Sequence, residues 1–146
     1  MSAAMDLRST LEQLERHVLW SIRDDATFED VLQDCNLKTD RDLYEEIDRD
    51  TAHRYLTRIF YADLAYSCPE MPLEDASQLA HRFLAEFPLE GSRYYSNGSA
   101  TPSDPRELAG VVELRGWKSV GNATFDWGVL IVSSTRSGCV WSDDED

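Results

Sequence analysis

The chain has 146 residues, 42% of them hydrophobic and 10% aromatic, which is enough for one domain with a real core and too apolar for a disordered chain. Twenty-eight acidic side chains stand against fourteen basic ones, a formal net charge of -14. A field of that sign repels the phosphate backbone, so direct nucleic-acid binding is excluded from the expected functions, while a cationic partner is steered inward.

The apolar residues Leu7, Leu11, Leu14, Val18 and Ile22 recur at four- and three-residue steps, a stripe that predicts one amphipathic helix across 7–22. Ser9 with Glu12, Thr27 with Asp30, and Thr39 with Asp42 each carry the spacing of a capping box, and the last predicts a helix running through Leu43 and Ile47. A longer helix is expected over 51–66, with Tyr55, Leu56, Ile59, Phe60 and Leu64 facing inward. Pro69 and Pro72 break the chain, and a further helix follows over 73–87, burying Ala76, Leu79, Ala80, Phe83, Leu84 and Phe87.

From Pro88 to Pro105 the text turns to Gly, Ser, Pro and Asn and reads as a long loop. Beyond it, VVEL, TFDWGVLIVSS and GCVW are β-like. Phe125, Trp127, Val129 and Ile131 point one way, and Leu130 and Val132 point the other way beside Asp126 and Gly128, the pattern of a central strand covered on both faces. The predicted architecture is a single α+β domain: a helical N-terminal layer of four to five helices (1–88), a long loop (89–106), a small antiparallel sheet of about three strands (107–142) and an acidic tail (143–146).

No run of eighteen apolar residues exists, so no transmembrane helix is expected. The opening MSAAMDLRST lacks a basic stretch followed by an apolar one, whether Met1 or Met5 starts the chain, and Cys35, Cys68 and Cys139 are widely spaced and odd in number. These features predict a cytoplasmic protein with three buried or half-buried thiols.

The acids are not spread evenly. Segment 24–50 holds eleven of them against Lys38, Arg41 and Arg49, a net of −8. Two readings stand side by side: a solvated helical face whose acids complement helix dipoles, and an acidic surface for a basic protein. Asp34, Asn36, Asp40, Asp42 and Glu45 mimic the spacing of a calcium loop, but Lys38 stands where an oxygen ligand is wanted and Thr39 where glycine is. No nucleophile elbow, phosphate loop or zinc pairing is present, His17, His53 and His81 fall one to a helix, and no cofactor is predicted. Cys68 and His81 across the proline turn read as a small core residue and a surface residue rather than a thiolate couple. The candidate partner-binding residues are Asp40, Asp42, Glu45 and Glu46 in the acidic segment, Tyr94 and Tyr95 in the loop, and Trp141, Asp143 and Asp144 at the end.

Phe125, Asp126, Gly128, Val129 and Ile131, followed by a turn at Gly138, then Trp141 and the acids from Asp143, form a layout that resembles small immunity proteins of bacterial polymorphic-toxin systems. The resemblance implies a non-enzymatic α+β protein that neutralises one cognate toxin by occluding its active site. With the charge bias, it gives the leading expectation of an immunity or inhibitor protein for a basic toxin or nuclease, carboxylates taking the places of phosphates. An adaptor with a non-toxin partner, and a small magnesium-dependent hydrolase using Asp126 and the terminal carboxylates, are the alternatives.

Overall fold

Two-sided burial of one strand organises the molecule, as its apolar alternation requires. The computed structural model describes residues 6–14, 18–66, 68–102 and 111–144. Among them are α1 (Leu7–Glu12), β1 (Val18–Asp24), α2 (Phe28–Asp34), a 3-10 turn (Arg41–Leu43), β2 (Glu45–Ile47), α3 (Arg49–Tyr61), α4 (Leu73–Leu84), β3 (Arg93–Ser96), β4 (Gly98–Pro102), β5 (Val112–Trp117), β6 (Phe125–Val132) and β7 (Arg136–Asp144). Five strands form one antiparallel sheet in the order β1-β7-β6-β3-β2, and β4 with β5 makes a separate two-stranded ribbon.

This corrects the predicted architecture. The protein is mixed α and β, but rich in sheet: four α-helices and seven strands among the described residues replace a small three-stranded sheet under a helical half. The stripe over 7–22 is not one helix. α1 covers its first part, and Val18, Trp20 and Ile22 alternate along β1, which pairs with β7 from Val18↔Ser142 to Asp24↔Arg136. Those residues are β-branched or aromatic and satisfy a period of two as well as one of four, so pairing with a distant strand decides between them. The helix expected from Thr39 is a single 3-10 turn followed by β2. The presumed loop after Pro88 contains β3 and β4.

The other expectations divide: Asp6, accepting from Ser9 N, caps α1 in place of the Ser9–Glu12 box, while the next box forms. Thr27 and Asp30 form a reciprocal capping box on α2, the Thr27 backbone donating to Asp30 at 2.9 Å and Asp30 N to the Thr27 hydroxyl at 3.2 Å. α3 starts instead at the cap Asp48, whose carboxylate accepts from Thr51 N at 2.7 Å. All six residues predicted to face inward from the stripe over 73–87 are buried. Cys68, expected in the core, is exposed, while Cys35 and Cys139 are buried. No helix among the described residues is long and apolar enough to cross a membrane.

The sheet separates two cores. On one face Trp127, Val129, Ile131 and Val140 meet Leu11 of α1, Leu56, Ile59 and Phe60 of α3, and Ala80 and Phe83 of α4. On the other, Leu130, Cys139 and Trp141 meet Phe28, Val31 and Leu32 of α2, together with Leu37 and Tyr44 from the segment that follows. The ribbon is tied to the helical side. Arg58, 2% exposed, donates to Glu113 of β5 at 3.1 Å and to the carbonyls of Ala62 and Asp63 that end α3.

Candidate functional site

The 3-10 turn and β2 carry acids because this segment packs by only a few side chains. Tyr44 is buried against Phe28 and Trp141 in edge-to-face contacts at 5.4 and 5.8 Å, and its hydroxyl donates to the Lys38 carbonyl. Asp40, Asp42, Glu45 and Glu46 on either side of it remain exposed. β2 lies at the margin of the five-stranded sheet, with Glu45 opposite Ser96 and Glu46 opposite Tyr95.

Most acids of 24–50 serve the fold. Asp24 pairs with Arg136 at 2.7 Å, Glu29 with Arg41 at 3.5 Å, Asp34 with Arg23 at 3.3 Å and Glu46 with Arg93 at 3.9 Å. Asp30 and Asp48 cap helices, and those backbone donors hold both carboxyls below the usual aspartate range. Among the described residues, Asp25, Asp40, Asp42, Glu45 and Asp50 have neither a cationic side-chain partner nor a cap to make. Three of these five, Asp40, Asp42 and Glu45, fall together on the turn and β2.

Beside them opens a pocket of about 210 Å³ lined by Leu43, Glu45, Ser96, Asn97, Gly98, Ser99, Gly116, Trp117 and Lys118. Asn97 builds its floor at the corner where the chain leaves β3 for the ribbon. Its amide donates to the Lys118 carbonyl at 2.9 Å and to the Asp126 carboxylate at 2.8 Å, and its side-chain oxygen accepts from Gly128 N at 3.2 Å. The Lys118 ammonium donates to the Asp42 backbone carbonyl at 3.0 Å, placing one cation on the rim without pairing it to a carboxylate. Asp126 is wholly buried, and its oxygens accept from Asn97, the Ser119 hydroxyl at 3.1 Å, Val120 N at 3.2 Å and the Trp141 indole at 3.3 Å. Four donors of that kind satisfy a buried carboxylate and leave its oxygens no room for a magnesium ion.

The nine predicted contact residues separate into groups. Asp40, Asp42, Glu45 and Glu46 share one exposed margin. Tyr95 is half-buried on Phe28 at 5.6 Å. Tyr94 is 6% exposed, with Arg49 donating to its hydroxyl at 3.0 Å, and Trp141 is wholly buried, so neither ring meets a partner as a surface anchor. They belong to the core because β3 and β7 are inner strands, and an aromatic residue there has a neighbour on each side. Asp143 is half-buried beside Asn36 and Leu37, on the side of the acidic segment, whereas Asp144 turns to the other face and accepts from Leu64 N at 3.1 Å and Ala65 N at 3.2 Å. Of the tail's two described residues, Asp143 therefore lies against segment 24–50 and Asp144 away from it; Glu145 and Asp146, like His17, lie outside the described residues.

Sequence reasoning missed the Asn97–Asp126 centre and the pocket above it. Its one available signal was an acid in the middle of an apolar strand, which has to find donors. Across the proline turn, His53 and His81 stack with ring centroids 4.0 Å apart, joining α3 to α4. Among the described residues no group of three or more His, Cys, Asp or Glu side chains is placed to hold a metal ion. Comparison with family models, characterised proteins and solved structures finds no match to this chain.

Proposed function

We propose that the protein is a non-enzymatic binding protein that presents the margin formed by Asp40, Asp42, Glu45 and Glu46 to a basic protein partner, in the manner of an immunity or inhibitor protein acting on a basic toxin or nuclease. The observation that carries this reading is the contrast inside segment 24–50: six of its acids are engaged in ion pairs or caps, while three of the remaining five, Asp40, Asp42 and Glu45, follow one another on the exposed turn and β2, with Glu45 lining a pocket. Unpaired carboxylates held close cost electrostatic self-repulsion that a cationic surface relieves, and the net charge of -14 steers such a surface toward the chain. The half-buried Tyr95 lies opposite Glu46 in the strand register.

The test has two arms. Immobilised protein is exposed to lysate of its native source at low salt and eluted with rising salt, beside a variant carrying Asp40→Asn, Asp42→Asn, Glu45→Gln and Glu46→Gln. The expected result is a basic protein released by salt and not retained by the variant. In the second arm, the product of the neighbouring gene is expressed with and without this chain; growth arrest relieved by the chain supports the toxin reading. Capture that is indifferent to both salt and the four substitutions overturns the acidic margin as the binding surface.

A further inference from the structure

Cys35 and Cys139 are 104 positions apart in sequence, yet their sulfurs lie 3.7 Å from each other. The fold forces this meeting. Cys35 caps the C-terminus of α2, and Asn36 turns the chain away with φ at 58°. Cys139 sits on the face of β7 that receives α2, its thiol also 3.6 Å from the Val31 carbonyl.

The two sulfurs differ in access. Cys139 is wholly enclosed, whereas Cys35 is 6% exposed and lines a surface pocket of about 170 Å³ with Leu19, Asn36, Leu37, Gly121, Asn122 and Asp143. That space admits a molecule the size of water or peroxide. The electrostatics run the same way. The hydrogen bond with Cys139 lowers the Cys35 thiol against the opposing effects of burial and of the Asp34 carboxylate, while the same bond and full burial push Cys139 well above the usual thiol range. The outer sulfur is the attacking one and the inner sulfur resolves.

We propose that Cys35 and Cys139 form a peroxide-responsive dithiol, Cys35 being oxidised through the pocket and Cys139 closing an internal disulfide. In the first step the Cys35 thiolate attacks one oxygen of a hydroperoxide. The O–O bond breaks, the departing oxygen leaves as water or alcohol after taking a proton, and Cys35 becomes a sulfenic acid. In the second, the Cys139 sulfur attacks the Cys35 sulfur, the S–O bond breaks, and the hydroxide leaves as water with the Cys139 proton. Two thiols and hydrogen peroxide give one disulfide and two waters, the two electrons passing from sulfur to oxygen. The sulfurs need to close by less than about 2 Å, within the range of side-chain rotation. Cys68, exposed on the loop between α3 and α4, is separate from this pair and is the thiol open to reaction between molecules.

The experiment uses the full chain with Cys68→Ser, treated with stoichiometric hydrogen peroxide, then denatured and labelled with a maleimide. The expected result is no label after oxidation and two labels after reduction, with a protease fragment joining the Cys35 and Cys139 peptides. The oxidised form is expected to melt higher by about 5 °C or more, because the bridge closes a long loop. Cys139→Ser should instead leave a Cys35 sulfenic acid that dimedone traps, and Cys35→Ser should leave Cys139 fully labelled after peroxide. Two labels at peroxide levels that modify Cys68 in the parent chain overturn the proposal. So does oxidation of Cys35 to the sulfinic acid while Cys139 stays free.

Discussion

The two faces of the five-stranded sheet are filled by different means. The face beneath α1, α3 and α4 is built from aliphatic and aromatic side chains repeated at helical spacing, each replaceable in kind by its neighbours. The face beneath α2 rests on single, unrepeated devices. Phe28 and Tyr44 set their rings edge-to-face, Tyr44 does the same on Trp141, Asp126 takes four donors, and Gly128 lends its missing side chain to the Trp141 ring. A periodic core spreads its specification over many residues, whereas the opposite core concentrates it in a few. Substitutions are therefore expected to weigh more heavily under α2, although that side holds fewer buried residues.

Gly128→Val is the severest way to test this difference. A Cβ at Gly128 would sit 2.2 Å from Trp141 Cδ2 and 2.3 Å from the Val140 carbonyl oxygen, and backbone does not yield as a side-chain tip does. The expected outcome is a chain with no cooperative urea transition, a loss above about 4 kcal/mol. Asp126→Ala comes next. It strands Val120 N and the Trp141 indole and takes one acceptor each from the Asn97 amide and the Ser119 hydroxyl, with an expected cost of about 4 kcal/mol in urea denaturation. Leu56→Ala in the periodic face removes a wholly buried side chain and is expected to cost about 3 kcal/mol. If Leu56→Ala proves costlier than Asp126→Ala, the two faces have been ranked in the wrong order. Thr27→Ala, which removes the hydroxyl half of the α2 capping box, should cost about 1 kcal/mol in the same assay.

The smallest effect belongs to pH. Burial and the neighbouring His81 lower the His53 imidazole from its ordinary 6.5, with Arg49 adding to them, while the Ser77 carbonyl and Asp50 act the other way. The unfolded chain therefore takes up the proton first, so stability is complete above about pH 6.5 and falls as pH drops through that value toward the lower folded one. Melting temperatures at about pH 7.5 and 5.5 should differ less in His53→Gln than in the parent. An unchanged difference would place the titration elsewhere.

What was legible in the sequence follows the same division. The stripe over 73–87 named six buried residues correctly, and the two-faced run at Phe125 identified the inner strand, because burial there follows a period. β1 was hidden by a stripe that fits two periods at once, and only the register with β7 chooses between them. β3 was hidden by the Gly- and Ser-rich text around it. Tyr94 and Tyr95 are strand residues because Ile131 and Leu130 lie opposite, more than thirty positions away. Of the candidate site, the charge of Asp40, Asp42, Glu45 and Glu46 was plain. The pocket was not, since it depends on Asn97 joining Lys118 and Asp126, and hydrogen bonds of that kind leave no compositional trace.

Among the described residues the strand order leaves β1 and β2 each with one side unpaired, a template for another chain's strand. Neither is left bare. The Arg8 guanidinium donates to the Ile22 carbonyl of β1 at 3.1 Å, and β2 is only three residues long, two of them glutamates. Two copies approaching through β2 would set carboxylate against carboxylate, so polymerisation through this strand is opposed. Those two charges, on the shortest strand of the sheet, guard this border against joining a second copy of itself.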